Sequence, residues 1–113
     1  MYKTYRLGNN DVKLGDTFTL AKAMGGVSCY YIRRLERSKL FPPNRLRKPA
    51  PQRKGVKPEF MKGHRLYTRE LIRGIGKLFR QRKKFQRFTE EDRLEILRLF
   101  EEERVRIERY LNT

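Results

Sequence analysis

Cysteine, histidine and tryptophan are almost absent from this chain. Cys29 and His64 are the only residues of their kinds among 113, and there is no tryptophan. A lone cysteine excludes an internal disulfide and suits a reducing compartment. One Cys and one His cannot complete the four-ligand shell of a structural zinc ion, so no metal is expected. Acidic residues are also few, 13 against 29 Lys and Arg. They gather as Glu90-Glu91-Asp92 and Glu101-Glu102-Glu103, which read as a helix start and a solvated helix surface rather than as metal ligands. No glycine loop ends in Lys-Ser/Thr to cradle phosphates. Gly74-Ile75-Gly76-Lys77 comes nearest and falls inside a helical stripe. His64 sits in a basic stretch and reads more readily as a loop or phosphate contact than as a general base. The chain is therefore expected to be no enzyme, with no catalytic residue and no cofactor. No run approaches the roughly 18 apolar residues of a membrane span. Met1 to Arg6 leads into no apolar stretch, so neither a span nor a secretory signal is expected.

Positive charge is in excess, at +16. It points to a polyanionic partner, because Lys and Arg that neutralise phosphates release condensed counterions. Duplex DNA and RNA are both open at this level. The charge is unevenly placed. Residues 1–88 hold 24 Lys and Arg against 5 Asp and Glu, whereas residues 89–113 hold 5 against 8. The last quarter is therefore expected to serve packing or partner contact rather than phosphates. With 113 residues, 37% of them apolar, the chain can close one modest core.

Tyr2–Leu7 and Val12–Phe18 read as short extended segments around the turn signal Gly8-Asn9-Asn10, or equally as a loose arm. Thr19 offers an N-cap to a short helix with Leu20, Ala21 and Met24 on its apolar face, and Gly25-Gly26 breaks it. Ser28 is a second N-cap, for a helix from Cys29 to Ser38. Its Ile32 and Leu35 can face a core, while Tyr30, Tyr31, Arg33, Arg34 and Arg37 cover the rest. Two short helices around a glycine turn form the helix-turn-helix pattern, in which the second helix is presented to the major groove. A helical hairpin with merely solvated arginines fits the same residues. Pro42-Pro43 closes this region.

Residues 44–62 hold Arg45, Arg47, Lys48, Arg53, Lys54, Lys57 and Lys62 against the single acid Glu59. Three prolines and Gly55 forbid a continuous helix, so a long basic loop is expected. Arg65-Leu66-Tyr67 is strand-like. Thr68 then caps a third helix with Glu70 in its first turn. Leu71, Ile72, Ile75, Leu78 and Phe79 lie on one face of that helix and read as core. Gly74 and Gly76 weaken it in favour of close packing. Arg80, Arg82, Lys83, Lys84 and Arg87 give it a basic end. Thr89-Glu90-Glu91-Asp92 matches a capping box. The last helix is predicted over 90–111, with Leu94, Leu97, Phe100, Ile107 and Leu111 as a stripe that Arg104 interrupts. That stripe fits either the chain's own domain or a second copy.

Several segments in order resemble the MerR type of winged helix-turn-helix domain. Phe18-Thr19-Leu20-Ala21-Lys22-Ala23-Met24 is similar to its first helix. Gly26-Val27-Ser28, Ile32-Arg33, Glu36 and Leu40-Phe41-Pro42-Pro43 resemble its turn, recognition helix and exit to the wing. Gly63-His64-Arg65-Leu66-Tyr67 with Thr68 resembles the wing's return strand and the next cap. The likeness covers about residues 17–80, and phage excisionases and small terminase subunits share this fold. A glycine is usual in the family where Lys39 stands, the wing here is longer and more basic, and nothing after residue 88 resembles an effector-binding domain.

The resemblance implies a mainly α fold with a small β wing. Residues 1–16 would be an arm or short strands, 17–88 a DNA-binding domain with its wing at 44–62, and 89–113 a C-terminal helix for packing or oligomerisation. It implies a double-stranded DNA-binding protein: a small transcription regulator, or a phage or mobile-element accessory factor in recombination or packaging. The expected setting is cytoplasmic, at the nucleoid of a bacterial or phage-infected cell. Arg33 matches the recognition-helix arginine, Tyr30 and Tyr31 match positions that touch bases or phosphates, and Ser28, Arg34 and Arg37 complete that helix's contribution. The wing would add Arg45, Arg47, Lys48, Arg53, Lys54, Lys57, Lys62 and His64. Arg65 matches the wing arginine near the backbone or minor groove. Tyr67 matches a phosphate-contacting tyrosine, with a place in the core as the alternative. The other partners are a second copy or another DNA-bound protein on the C-terminal helix, and no membrane. The rival function is RNA binding or ribosome association, on the strength of the basic loop.

Overall fold

The computed structural model describes residues 1–43, 46–48, 64–82 and 87–113. In chain order the elements are β1 (Lys3–Leu7), β2 (Asn10–Asp16), α1 (Thr17–Ala23), α2 (Cys29–Arg37), β3 (Arg47–Lys48), β4 (His64–Thr68), α3 (Arg69–Gln81) and α4 (Glu90–Leu111). Helices thus combine with a small antiparallel sheet of order β1-β2-β4-β3. Residues 1–16 are not a loose arm. Leu7 and Asn10 are cross-strand partners around a two-residue turn, and Gly8 supplies the positive φ of 60° that such tight turns require. β2 then pairs Leu14, Gly15 and Asp16 with Thr68, Tyr67 and Leu66 of β4.

The first helix starts earlier than Thr19. Asp16 is the N-cap, and its Oδ1 accepts from the Thr19 N–H and from the Thr19 hydroxyl, both at 2.8 Å. A carboxylate three residues ahead satisfies a first-turn amide better than a threonine that the helix itself buries. The helix ends at Gly25-Gly26, with φ of 104° and 84°. Gly26 N–H donates to the Ala21 carbonyl and Gly25 N–H to that of Lys22, the paired bonds that close a helix with a left-handed residue.

Helix α2 follows the sequence reading. Ser28 Oγ accepts from the Tyr31 N–H at 3.1 Å, and Ile32 and Leu35 are buried. Its C-terminal end repeats the α1 closure: Leu40 N–H donates to Leu35 O and Lys39 N–H to Glu36 O. The left-handed position here is Lys39, with φ of 66°. A lysine Cβ is crowded in that conformation. Lys39→Gly is therefore expected to raise the unfolding free energy by about 1 kcal/mol, read by urea denaturation. A lower value would mean that the lysine side chain contributes more than its backbone costs.

Thr68 caps α3, accepting from the Leu71 N–H, and Leu71, Ile72 and Ile75 are buried as predicted. The basic end of α3 is partly turned inward. The Arg82 guanidinium lies 3.7 Å over the Phe88 ring and pairs with Asp92 at 3.4 Å, while Lys83 and Lys84 lie outside the described residues. The capping box at Thr89 and Asp92 is present, and α4 begins and ends where predicted.

The docked face of α4 keeps Phe100 and Ile107 of the predicted stripe but not its leucines. Leu94, Leu97 and Leu111 are 57%, 49% and 52% exposed, whereas Ile96 and Glu103 are buried. Ile96, Phe100, Glu103, Ile107 and Tyr110 recur at three and four residues and form the inner face. A buried acid in the middle of that series hides it from an apolar pattern. Phe100 meets Phe41 at 5.1 Å, and Phe41 meets Phe79 edge-on at 5.9 Å. The exit from α2, the third helix and the last helix are thereby joined in one core. A smaller cluster of Leu7, Val12, Leu14 and Leu66 lies under the hairpin. The hairpin turn also grips the end of α4: Asn9 N–H donates to Thr113 O, and Asn10 Nδ2 donates to Tyr110 O, each at 2.9 Å. Among the described residues, no helix is long and apolar enough to cross a membrane.

Candidate nucleic-acid interface

With Ile32 and Leu35 inward, the 3.6-residue period turns Tyr30, Arg33, Arg34 and Arg37 outward at i, i+3, i+4 and i+7. All four are exposed. Tyr30 is 58% accessible, and the Arg37 guanidinium stands 5.5 Å from its ring centroid, a cation–π distance that restrains both side chains. Among the described residues neither Arg33 nor Arg34 has an acidic partner. Lys39, just beyond the helix, adds an exposed cation. It was not among the expected site residues, and its only sequence signal was a basic residue standing where a helix end favours glycine.

Three of the five arginines of α4 behave differently. Arg98 pairs with Glu95 and Glu102, Arg104 with Glu101 and Glu108, and Arg106 with Glu70 and Glu103. Their charge is met within the chain, and the Arg98 and Arg104 guanidinium groups are held above their usual pKa by the hydrogen bonds they donate to Glu95 and Glu101 and by the other carboxylates nearby. On α2 the one acid is Glu36, and it is occupied too. Arg65 Nε donates to Glu36 Oε2 at 2.7 Å and Arg65 Nη2 to Oε1 at 3.2 Å. Hydrogen bonding to that carboxylate raises the Arg65 pKa. This two-pronged pair ties β4 to α2 and takes the negative charge of Glu36 away from Arg33 and Arg37, its neighbours on the helix.

The structure divides the remaining expected contacts. Arg65 is committed to Glu36, so a role at a phosphate would compete with that pair. Tyr67 is a correction: it is 1% exposed and part of the main core. Burial pushes its hydroxyl pKa up to about 12. Both faces of β4 are covered, Leu66 by the hairpin cluster and Tyr67 by the main one, so the alternation of a half-exposed strand does not apply. Tyr31 is half-buried against the core, and Ser28 is engaged in capping. Arg47 stands opposite Arg65 across the β3–β4 pair, and the backbones of Lys48 and His64 are partners in the same register; the side chains of those two lie outside the described part. Arg45, Arg53, Lys54, Lys57 and Lys62 lie outside the described residues. Within those residues no group of three or more His, Cys, Asp or Glu stands together to hold a metal ion.

No known family model matches the chain, and no curated protein or solved structure matches it significantly.

Proposed function

We propose that this chain is a double-stranded DNA-binding protein that lays the outer face of α2 in the major groove, with α1 packed behind it as in a winged helix-turn-helix. The observation that carries the reading is the Tyr30, Arg33, Arg34, Arg37 stripe. Its cations meet no acid among the described residues, in a chain whose net charge is +16. An α-helix fits the width of the major groove, and arginine either bonds a guanine edge through two donors or clamps a phosphate. Residues 17–88 would form the binding unit. The basic segment 44–62 would act as a wing on the backbone, adding affinity without sequence preference. With no acid-free basic face on α4, residues 89–113 would support that unit rather than touch DNA. The proposed role is that of a transcription regulator or an accessory factor in phage or mobile-element recombination or packaging.

Titration against duplex DNA, single-stranded DNA and structured RNA at two salt concentrations tests the reading. Duplex DNA is expected to bind tightest, with affinity falling steeply as salt rises. Arg33→Ala is expected to cost about 1–3 kcal/mol on a preferred duplex if Arg33 reads a base. Unchanged duplex affinity in a folded variant removes α2 from the interface, and tighter binding to structured RNA transfers the basic face to that ligand.

A further inference from the structure

Helix α3 carries a cationic stripe of its own. Arg69, Arg73, Lys77 and Arg80 follow one another at spacings of four, four and three, one on each successive turn over roughly 16 Å of helix. Arg73, Lys77 and Arg80 are exposed and Arg69 is half-buried. The other sides of α3 are taken. Leu71, Ile72 and Ile75 are buried, Gly76 lies against Ala23 of α1, and Gly74 lies against Leu99 of α4. Among the described residues none of the four cations meets an acid. Glu70, the one acid of α3, turns to Arg106 of α4 at 3.5 Å. Arg80 Nε donates to the Gly76 carbonyl at 3.2 Å, and Arg69 Nε is buried without a hydrogen-bond partner among the described residues. Like charges four residues apart weaken a helix. α4 offsets such charges with its own glutamates, and α3 does not. A polyanion laid along the stripe would relieve that repulsion.

We propose that the outer face of α3 binds the phosphate backbone of a second DNA duplex, so that one chain bridges two. This rests on the reading of α2 as the groove-binding helix. Ile32 and Leu35 of α2 enter the same core as Leu71, Ile72 and Ile75 of α3, and α1 packs against both helices. Each basic stripe lies opposite the buried side of its own helix, so the two leave the core in different directions. A straight duplex seated on α2 leaves the α3 face uncovered. The two faces also differ in chemistry. α2 sets an exposed tyrosine among its arginines, whereas the α3 stripe is cations alone, which hold phosphates without reading sequence. The second duplex can therefore have any sequence.

Capture of a second duplex tests this. One duplex is fixed to beads, the full chain is added, and retention of a labelled free duplex is counted. The parent is expected to retain it. Replacing Arg73, Lys77 and Arg80 together with alanine is expected to cut retention at least about tenfold, while affinity for a single duplex changes less than about threefold. Arg73→Lys with Arg80→Lys is expected to keep both, because phosphates need the charge more than the forked geometry. Circular dichroism checks that each variant stays helical. A parent that binds no duplex overturns the α2 reading and this proposal together. A parent that binds one duplex and retains no second overturns this proposal alone. Single-duplex affinity that falls as far as retention in the alanine variant places α3 on the same duplex as α2. Retention untouched by the three alanines assigns bridging to paired chains. Either result overturns the proposal.

Discussion

Glu103→Leu is expected to destabilise the fold by about 3–5 kcal/mol, the range for breaking a buried, hydrogen-bonded charge pair. Glu103 comes from α4, yet it serves the start of α3. Its Oε2 accepts from the Thr68 N–H at 2.9 Å, its Oε1 accepts from the Thr68 hydroxyl, and Arg106 donates to it at 3.0 Å. Leucine would fill the space but leave the buried Thr68 amide without an acceptor and Arg106 with Glu70 as its one carboxylate partner. Glu103→Gln keeps an acceptor for that amide and is expected to lose less than half as much. The pair of variants separates hydrogen bonding from charge, because burial raises the Glu103 carboxyl above its ordinary 4.5. The native state then holds this proton more tightly than the unfolded chain does. Its contribution is most favourable below 4.5 and declines as pH rises through the folded value. Urea denaturation across that interval should show this decline in the parent and not in the glutamine variant. A leucine variant within 1 kcal/mol of the parent would show that Thr68 finds another acceptor.

The second large effect is at Gly76. Alanine favours a helix over glycine by about 1 kcal/mol, so Gly→Ala inside α3 would ordinarily stabilise. At Gly76 a Cβ would stand 2.8 Å from the Ala23 carbonyl oxygen and 3.1 Å from its Cβ. The obstacle is the backbone of α1, which cannot swing aside. Gly76→Ala is therefore expected to destabilise by about 2 kcal/mol, and Gly76→Leu by more. Gly74 is the control two residues away. Its Cβ would meet the far end of the Leu99 side chain at 2.8 Å, which can change rotamer, so Gly74→Ala is expected to stay within about 1 kcal/mol of the parent. Thermal melts of the three variants decide the matter. Equal melting of Gly76→Ala and Gly74→Ala would mean that α1 and α3 are not held at this distance. Since α2 follows α1 directly, the α1–α3 contact also sets where Arg33 and Arg34 stand.

Local chemistry explains which features the sequence made legible. Ser28 with Ile32 and Leu35 defined α2 and, by exclusion, its outer arginines. Thr68, Thr89 and Asp92 fixed the starts of α3 and α4, because capping acts over three residues. The features that escaped rest on residues far apart in the chain. Arg65 finds Glu36 at a separation of 29 residues and Thr68 finds Glu103 at 35; neither pair leaves a periodic mark. Of the inner face of α4 only Phe100 and Ile107 were read, because Glu103 breaks its apolar series and the exposed Leu94, Leu97 and Leu111 entered the stripe instead. Tyr67 carried two readings, and only the packing of α1 and α3 over β4 selects the buried one. The sequence reading put the first cap at Thr19; β2 ends at Asp16, short of the expected Phe18, and Asp16 takes the cap instead.

The grip of the hairpin turn on the end of α4 bears on the order in which the molecule assembles. The β1–β2 hairpin and the α1–α2 pair are local and can form within microseconds. β2 gains its second neighbour only when β4 arrives from 50 or more residues downstream. The bond from Asn10 to Tyr110 closes a separation of 100 residues. Closing such loops costs entropy before their contacts repay it, which slows folding relative to a chain of local helices. Helix α2 can thus exist as a helix well before β4 reaches Glu36 and before α4 closes over Phe41. The basic face acquires its final backing only in the last stages of folding, and until then the open edge of β2 is free to pair with another chain.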